Sequence, residues 1–293
     1  MRIVSVLALS AFLTLPPAPA PGILLLAHGG SDAWNQNVRD IAAATERAIP
    51  TEVALGMASR AEIQGALDRL VARGVTSVVA VPLFVSSHSS VITSTEYLLG
   101  LRAEMPDDLK IFAAMAHGGG HAGHVMAPDP AATTPVVRNV PVRMSPALDA
   151  HPIVASILAA RAASISRSPE DEAVIIVAHG PVDDETNARW LADLRITAGR
   201  LAAAKFHSVD AITVRDDAPA AIRDAATGEL RALVEERAAG GRRVLIVPAL
   251  LSFGGIEAGI RKRLEGLAYT MTDRGLAPDD RLAAWVLEMA VVK

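Results

Sequence analysis

The stretch VVAVPLFVSSHSSVITSTEYL, residues 78–98, reads as an apolar strand that runs into a polar loop and then re-enters helix. Val78 to Val85 is almost continuously apolar and rich in valine, the pattern of a parallel strand buried on both faces. Its loop carries Ser86, Ser87, His88, Ser89 and Ser90. In open α/β sheets the crevice beyond the carboxyl ends of the strands is where ligands sit. One other strand of this kind lies upstream, Gly22 to Ala27, and it also ends at a histidine, His28 of AHGGSD. Two imidazoles at the ends of two buried strands can meet across one crevice, so His28 and His88 are the candidate functional residues.

Outward from these strands the chain alternates. Helices are expected at about Trp34 to Ala48, with Ser31 or Asp32 as cap, then at Glu62 to Arg73, Val91 to Met105 and Pro152 to Ser166. Further strands are expected at Thr51 to Met57, Leu109 to Met115 and Val140 to Met144. Residues 116–139 break the pattern with glycine, histidine and proline and read as an insertion, in which His117, His121 and His124 are additional candidates for collecting metal.

From Glu172 the plan repeats. EAVIIVAHGPVDDETNARWLADL parallels PGILLLAHGGSDAWNQNVRDI, and RRVLIVPALLSFGGIEAGI parallels TSVVAVPLFVSSHSSVITS. Paired positions lie 151 residues apart at His28 and His179 and 166 apart at Pro82 and Pro248, too far for a solenoid and suited to a duplicated domain. The expected fold is therefore α/β, with two duplicated lobes at 21–168 and 169–293, each a mostly parallel sheet flanked by helices. Counting from the shared proline puts Gly254 where His88 stands, so the second lobe keeps one imidazole, His179, and lacks the other.

Composition narrows the classes. With 51% hydrophobic and 20% charged residues the chain is globular, and a net charge of −4 without a basic run gives no reason to expect nucleic acid. The absence of cysteine removes thiolate ligands and thiol nucleophiles, leaving histidine and carboxylate for any metal. Residues 1–20 read as a secretory signal peptide: Arg2, an apolar run from Val4 to Leu15 too short to span a bilayer, and the small-x-small Ala18-Pro19-Ala20. Export to the periplasm or outside the cell, with no membrane-spanning segment after cleavage, is the corresponding expectation. Gly118, Gly120 and Gly123 make a GxGxxG, but Pro128 and Pro130 preclude the helix a dinucleotide site needs. The HGG and HGGG runs have no GxSxG nucleophile elbow to serve.

Together the AHG after the first strand, EIQGALDRLVARG, the VVAVPLF strand with its histidine loop, and SPALDAHPIV resemble the class II tetrapyrrole chelatases of the sirohydrochlorin cobaltochelatase type. The resemblance implies an enzyme of tetrapyrrole or cobalamin biosynthesis that inserts Co²⁺, or Ni²⁺ or Fe²⁺, as its metal substrate. It also implies that His28 and His88 bind the metal and help remove pyrrole protons. Gly29 and Gly30 would let a flat macrocycle approach the backbone, with Ser87 and Ser89 beside it. Asp32 and Glu96 are the nearest carboxylates, and Arg60, Arg189, Arg215 and Arg261 are candidate partners for carboxylates on the ring. The alternative is an exported, non-enzymatic divalent-metal-binding protein on the same fold.

Overall fold

The computed structural model describes residues 20–116 and 130–292. The first half runs β1 (Pro21–Ala27), α1 (Asp32–Glu46), β2 (Thr51–Leu55), α2 (Arg60–Ala72), β3 (Ser77–Pro82), α3 (Ser90–Leu98), α4 (Asp108–Ala116), β4 (Val142–Met144) and α5 (Pro152–Ile165). The second runs β5 (Glu172–Ala178), α6 (Asp184–Leu201), β6 (Ser208–Thr213), α7 (Ala220–Ala238), β7 (Arg243–Pro248), α8 (Ile256–Arg263), β8 (Thr270–Met271) and α9 (Arg281–Val291). Two four-stranded sheets result, ordered β2-β1-β3-β4 and β6-β5-β7-β8, and every pairing is parallel. The α/β class with duplicated sheet plan is thus the one the repeat indicates. No helix among the described residues is long and apolar enough to cross a membrane.

Side chains alternate across the sheets and so sort into three cores. Ile23, Leu25 and Ala27 of β1 join Val174, Ile176 and Ala178 of β5 in one central cluster with residues of α1, α5, α6 and α9. Leu24 and Leu26 face the other way, onto Ile63, Ala66, Leu67 and Leu70 of α2. Ile175 and Val177 do the same onto Leu230 and Val234 of α7. The molecule is therefore layered helix, sheet, helix, sheet, helix. Within the central layer the last helix of each half crosses over: α5 packs against β7 and α6, while α9 packs against β3 and α1.

Two local expectations are corrected. Leu109 to Met115 is not a strand but lies in α4, because the sheet position beside β3 belongs to Val142–Met144. Once helical, Leu109 and Phe112 meet the core at i and i+3 and Ala113 is buried at i+4, with Asp108 favourably placed in the first turn. The helix expected over 91–105 ends at Leu98, because Gly100 takes a left-handed φ of 64° that stops it.

The crossing of α5 is anchored by Glu172, whose side chain is only 1% exposed at the start of β5. Its carboxylate accepts from the Ser166 hydroxyl at 2.5 Å and the Arg167 N–H at 2.9 Å, and it pairs with Arg243 of β7. Burial pushes this carboxyl upward, but the Ser166 and Arg167 hydrogen bonds and the Arg243 charge outweigh it and leave the group below the usual carboxylate range. A depressed native pKa means that the unfolded chain binds more protons in that window, so the contribution is present above the ordinary value of 4.5 and disappears as pH falls through the native one. Glu172→Gln is expected to cost about 2–3 kcal/mol of unfolding free energy at neutral pH. The difference from the unaltered protein should shrink below the ordinary carboxylate pKa, as read by urea denaturation across that range.

Candidate functional site

In the order β2-β1-β3-β4 the chain leaves β1 to one side and returns to β3 on the other, so the carboxyl ends of these neighbours bound a switch point that no direct connection covers. The register pairs Leu26 with Pro82, and the Leu83 N–H continues the ladder to the Leu26 carbonyl at 2.8 Å. His28 follows β1 at once, and the 86–90 loop follows β3, so both candidate imidazoles leave from adjacent strands at the same edge. His28 is exposed, and its Nδ1 lies 2.7 Å from the Gly29 carbonyl oxygen. A carbonyl only accepts, so this contact places the proton on Nδ1 and leaves the lone pair on Nε2.

The turn after His28 needs its glycines. Gly29 has φ 82°, and the Gly30 N–H and carbonyl are both bound by the Asn35 side chain, at 2.9 and 3.0 Å. A Cβ on Gly30 would stand 3.1 Å from Cγ of Trp34. Ser31 rather than Asp32 caps α1, accepting from the Trp34 N–H. In the second half Gly180 has φ 74° and Asn187, in the place of Asn35, accepts from the Thr213 hydroxyl at 2.8 Å.

The serines around His88 build its loop. The buried Ser86 hydroxyl accepts from the His88 N–H at 3.1 Å, and Ser89 caps α3 by accepting from the Ile92 N–H. Ser87 donates its N–H and its hydroxyl to the two carboxylate oxygens of Asp149, each at 2.6 Å. Asp149 holds this clamp from a left-handed backbone position, φ 43°.

The second half supplies the wall behind His88. Trp190 of α6 donates its indole N–H to the His88 carbonyl at 2.5 Å. One turn further along α6, Oδ2 of Asp193 lies 3.8 Å from Nε2 of His88 and is buried without a hydrogen-bond partner. Burial raises the Asp193 carboxyl above the usual range and the charge of Asp149 adds to this, while His88 opposes it. The reciprocal contact is made by the loop after β7: Ser252 accepts from Asn37 of α1 at 2.9 Å, and Gly254 stands where a Cβ would touch Trp34 at 3.4 Å. Each switch point therefore faces the first helix of the other half.

The remaining candidates are distributed more widely. His179 follows β5, with its Nε2 3.3 Å from Asp217. Asp32 opens α1 and Glu96 lies on α3. Arg60 donates to the Thr134 carbonyl, Arg189 pairs with Glu185, Arg215 pairs with Asp184, and Arg261 is exposed on α8. His117, His121 and His124 lie outside the described residues. Among the described residues no three His, Asp or Glu side chains converge as a metal-holding group.

The sequence model of the CbiX family matches residues 22–165, the segment that contains β1, β3, His28 and His88. That segment belongs to the CbiX family. The whole chain is also similar in fold to SirB from Bacillus subtilis with Fe³⁺, at 14% identity and a TM-score of 0.60 over 92% of this chain and 93% of that one. CbiX, the terminal enzyme for biosynthesis of siroheme in denitrifying bacteria, gives 16% identity and a TM-score of 0.55 over 93% and 100%. DR2241 from Deinococcus radiodurans, a multi-domain protein with structural similarity to chelatases, gives 19% and 0.56 over 94% of this chain and 55% of that one. No curated protein sequence matches the chain.

Three residues beside the CbiX segment's histidines escaped the sequence reading. Asp149 sits in SPALDAHPIV, a motif visible in the sequence but without a partner assigned to it. Trp190 and Asp193 carry no local signal, since on a helix of the other half they read as one buried and one solvated position. Asp149→Ala is expected to lose about 2–3 kcal/mol of stability and to speed amide exchange at Ser87 and His88. Asp149→Asn, which keeps an acceptor and tolerates positive φ, should lose about half as much.

Proposed function

We propose that this protein is a metal chelatase of the sirohydrochlorin type, which takes a divalent metal as substrate and places it in a tetrapyrrole. The observation that carries the reading is the pair His28 and His88 at one switch point inside the CbiX-family segment. Insertion exchanges two inner N–H protons for one M²⁺, so the site must hold the metal loosely and accept protons near neutral pH, and imidazole does both. His28 offers Nε2 from an exposed turn, where Gly29 and Gly30 keep side chains out of the path of a flat ring. Co²⁺ is the first metal to test, with Ni²⁺ and Fe²⁺ next, because imidazole suits all of them. SirB is described as a sirohydrochlorin chelatase in complex with cobalt, which supports the choice of both substrates.

Purified protein mixed with sirohydrochlorin and Co²⁺ should change the macrocycle absorbance faster than the blank without protein. His28→Ala or His88→Ala should each slow insertion about 100-fold, the usual weight of a positioned base. His179→Ala should change it less than about threefold, on the same scale. A blank-like rate with Co²⁺ still bound would replace the enzyme with the metal-binding alternative. Export is part of the proposal and rests on residues 1–20: mass spectrometry of the native protein should find an N-terminus near Pro21, and an intact Met1 would overturn it.

A further inference from the structure

We propose that Asp193, supplied by the second half of the chain, is the positioning residue for His88: its carboxylate takes the Nε2–H side of the imidazole and leaves the lone pair on Nδ1 as the nitrogen that meets the metal. The inference rests on the metal-binding role of His88 but adds which nitrogen is used and which half sets it.

Three observations converge. Oδ2 of Asp193 is buried without a hydrogen-bond partner, and buried acceptors are nearly always satisfied, so an unpaired one requires an explanation. Nε2 of His88 lies 3.8 Å from it, too long for a hydrogen bond in this state and within reach of a small shift of the ring. The loop is already held against α6, since Trp190, three residues before Asp193, donates to the His88 carbonyl. The backbone of His88 is thus fixed from the same helix face that presents the carboxylate, and only the ring has to turn. The Ser87 hydroxyl is already engaged elsewhere, accepting from the Ala147 N–H at 2.8 Å and donating to Asp149.

The chemical consequence is specific. A neutral imidazole carries one N–H, and the partner of that N–H decides which nitrogen is left basic. The Gly29 carbonyl fixes His28 with its lone pair on Nε2, whereas Asp193 fixes His88 with its lone pair on Nδ1. Carboxylates in this position behind a metal-binding histidine orient the ring and raise its basicity, and their loss typically weakens metal binding 10- to 100-fold.

The decisive measurement is long-range ¹H–¹⁵N NMR of the imidazoles in metal-free, full-length protein at mildly alkaline pH. The His88 signals are assigned by their disappearance in His88→Gln. His88 is expected as the Nε2–H tautomer, and a predominantly Nδ1–H ring in the unaltered protein overturns the proposal without any variant. Asp193→Asn should shift His88 toward a mixture of tautomers and weaken Co²⁺ binding by about 10- to 100-fold, with circular dichroism unchanged. Asp193→Glu should restore the tautomer at least in part. An Asn variant with unaltered tautomer and affinity overturns the proposal. Absence of sirohydrochlorin turnover would sink the chelatase reading and leave the tautomer result standing.

Discussion

Everything at the site depends on the parallel pairing of β1 with β3. Because β2 lies on the far side of β1, the chain must pass from one flank to the other, and the gap at the carboxyl ends of β1 and β3 stays free of crossover loops. The six paired positions from Pro21↔Ser77 to Leu26↔Pro82 fix how far each strand projects into that gap. A slip by one residue would reverse every side chain between the central and outer cores, so the burial of Ile23 and Leu25 on one face and Leu24 and Leu26 on the other holds the register. The position of His28 is therefore a consequence of core packing several residues away. The pairing of β5 with β7 repeats the constraint, from Glu172↔Arg243 to Val177↔Pro248.

The halves are not independent supports for two separate crevices. The central core mixes residues of both sheets, and α5 and α9 each pack on the sheet of the other half. Backbone groups are joined across this boundary as well. Arg161 of α5 donates to the carbonyls of Gly275, Leu276 and Pro278, and Arg143 of β4 donates to those of Met289 and Ala290 at the end of α9. Saturating carbonyls at the end of a helix removes groups that would otherwise need water in a buried layer. The same layer brings α6 behind the 86–90 loop, which is how residues of the second half come to stand next to His88.

The sequence disclosed the elements that are continuous and doubly buried: β1, β3, β5 and β7 have strong local patterns and an internal repeat that cross-checks them. The placement of His28 and His88 was legible for the same reason, since it follows from strand ends. Leu109 to Met115 was not, because a short apolar run suits strand and helix alike and only the place taken by Val142–Met144 decides between them. Ser87 and Ser89 were visible as polar residues in the right loop, but their clamp on Asp149 and their capping of α3 depend on partners that the local pattern does not specify. Asp193 is the extreme case. Its place beside His88 arises from an approach between segments 105 residues apart, and helix periodicity is silent on such approaches.

The divergence of the two halves follows from what each switch point has to support. After β3 the loop is held from outside, by Asp149 on Ser87 and by Trp190 on the His88 carbonyl, and none of these bonds uses the His88 imidazole. After β7 the loop is held by Asn37 of α1 on Ser252 and also from within, as Glu257 accepts from the N–H groups of both Gly254 and Gly255 at 3.0 and 2.9 Å. Gly255 takes φ 132°, which L side chains rarely adopt, and Gly254 sits against Trp34. That second loop is built for close contact with α1, and the position equivalent to His88 carries no side chain at all. The imidazole left in the second half, His179, faces Asp217 at 3.3 Å. Duplication thus produced two crevice edges with different work: one presents imidazoles, and the other, through α6, supplies the indole and carboxylate that surround one of them.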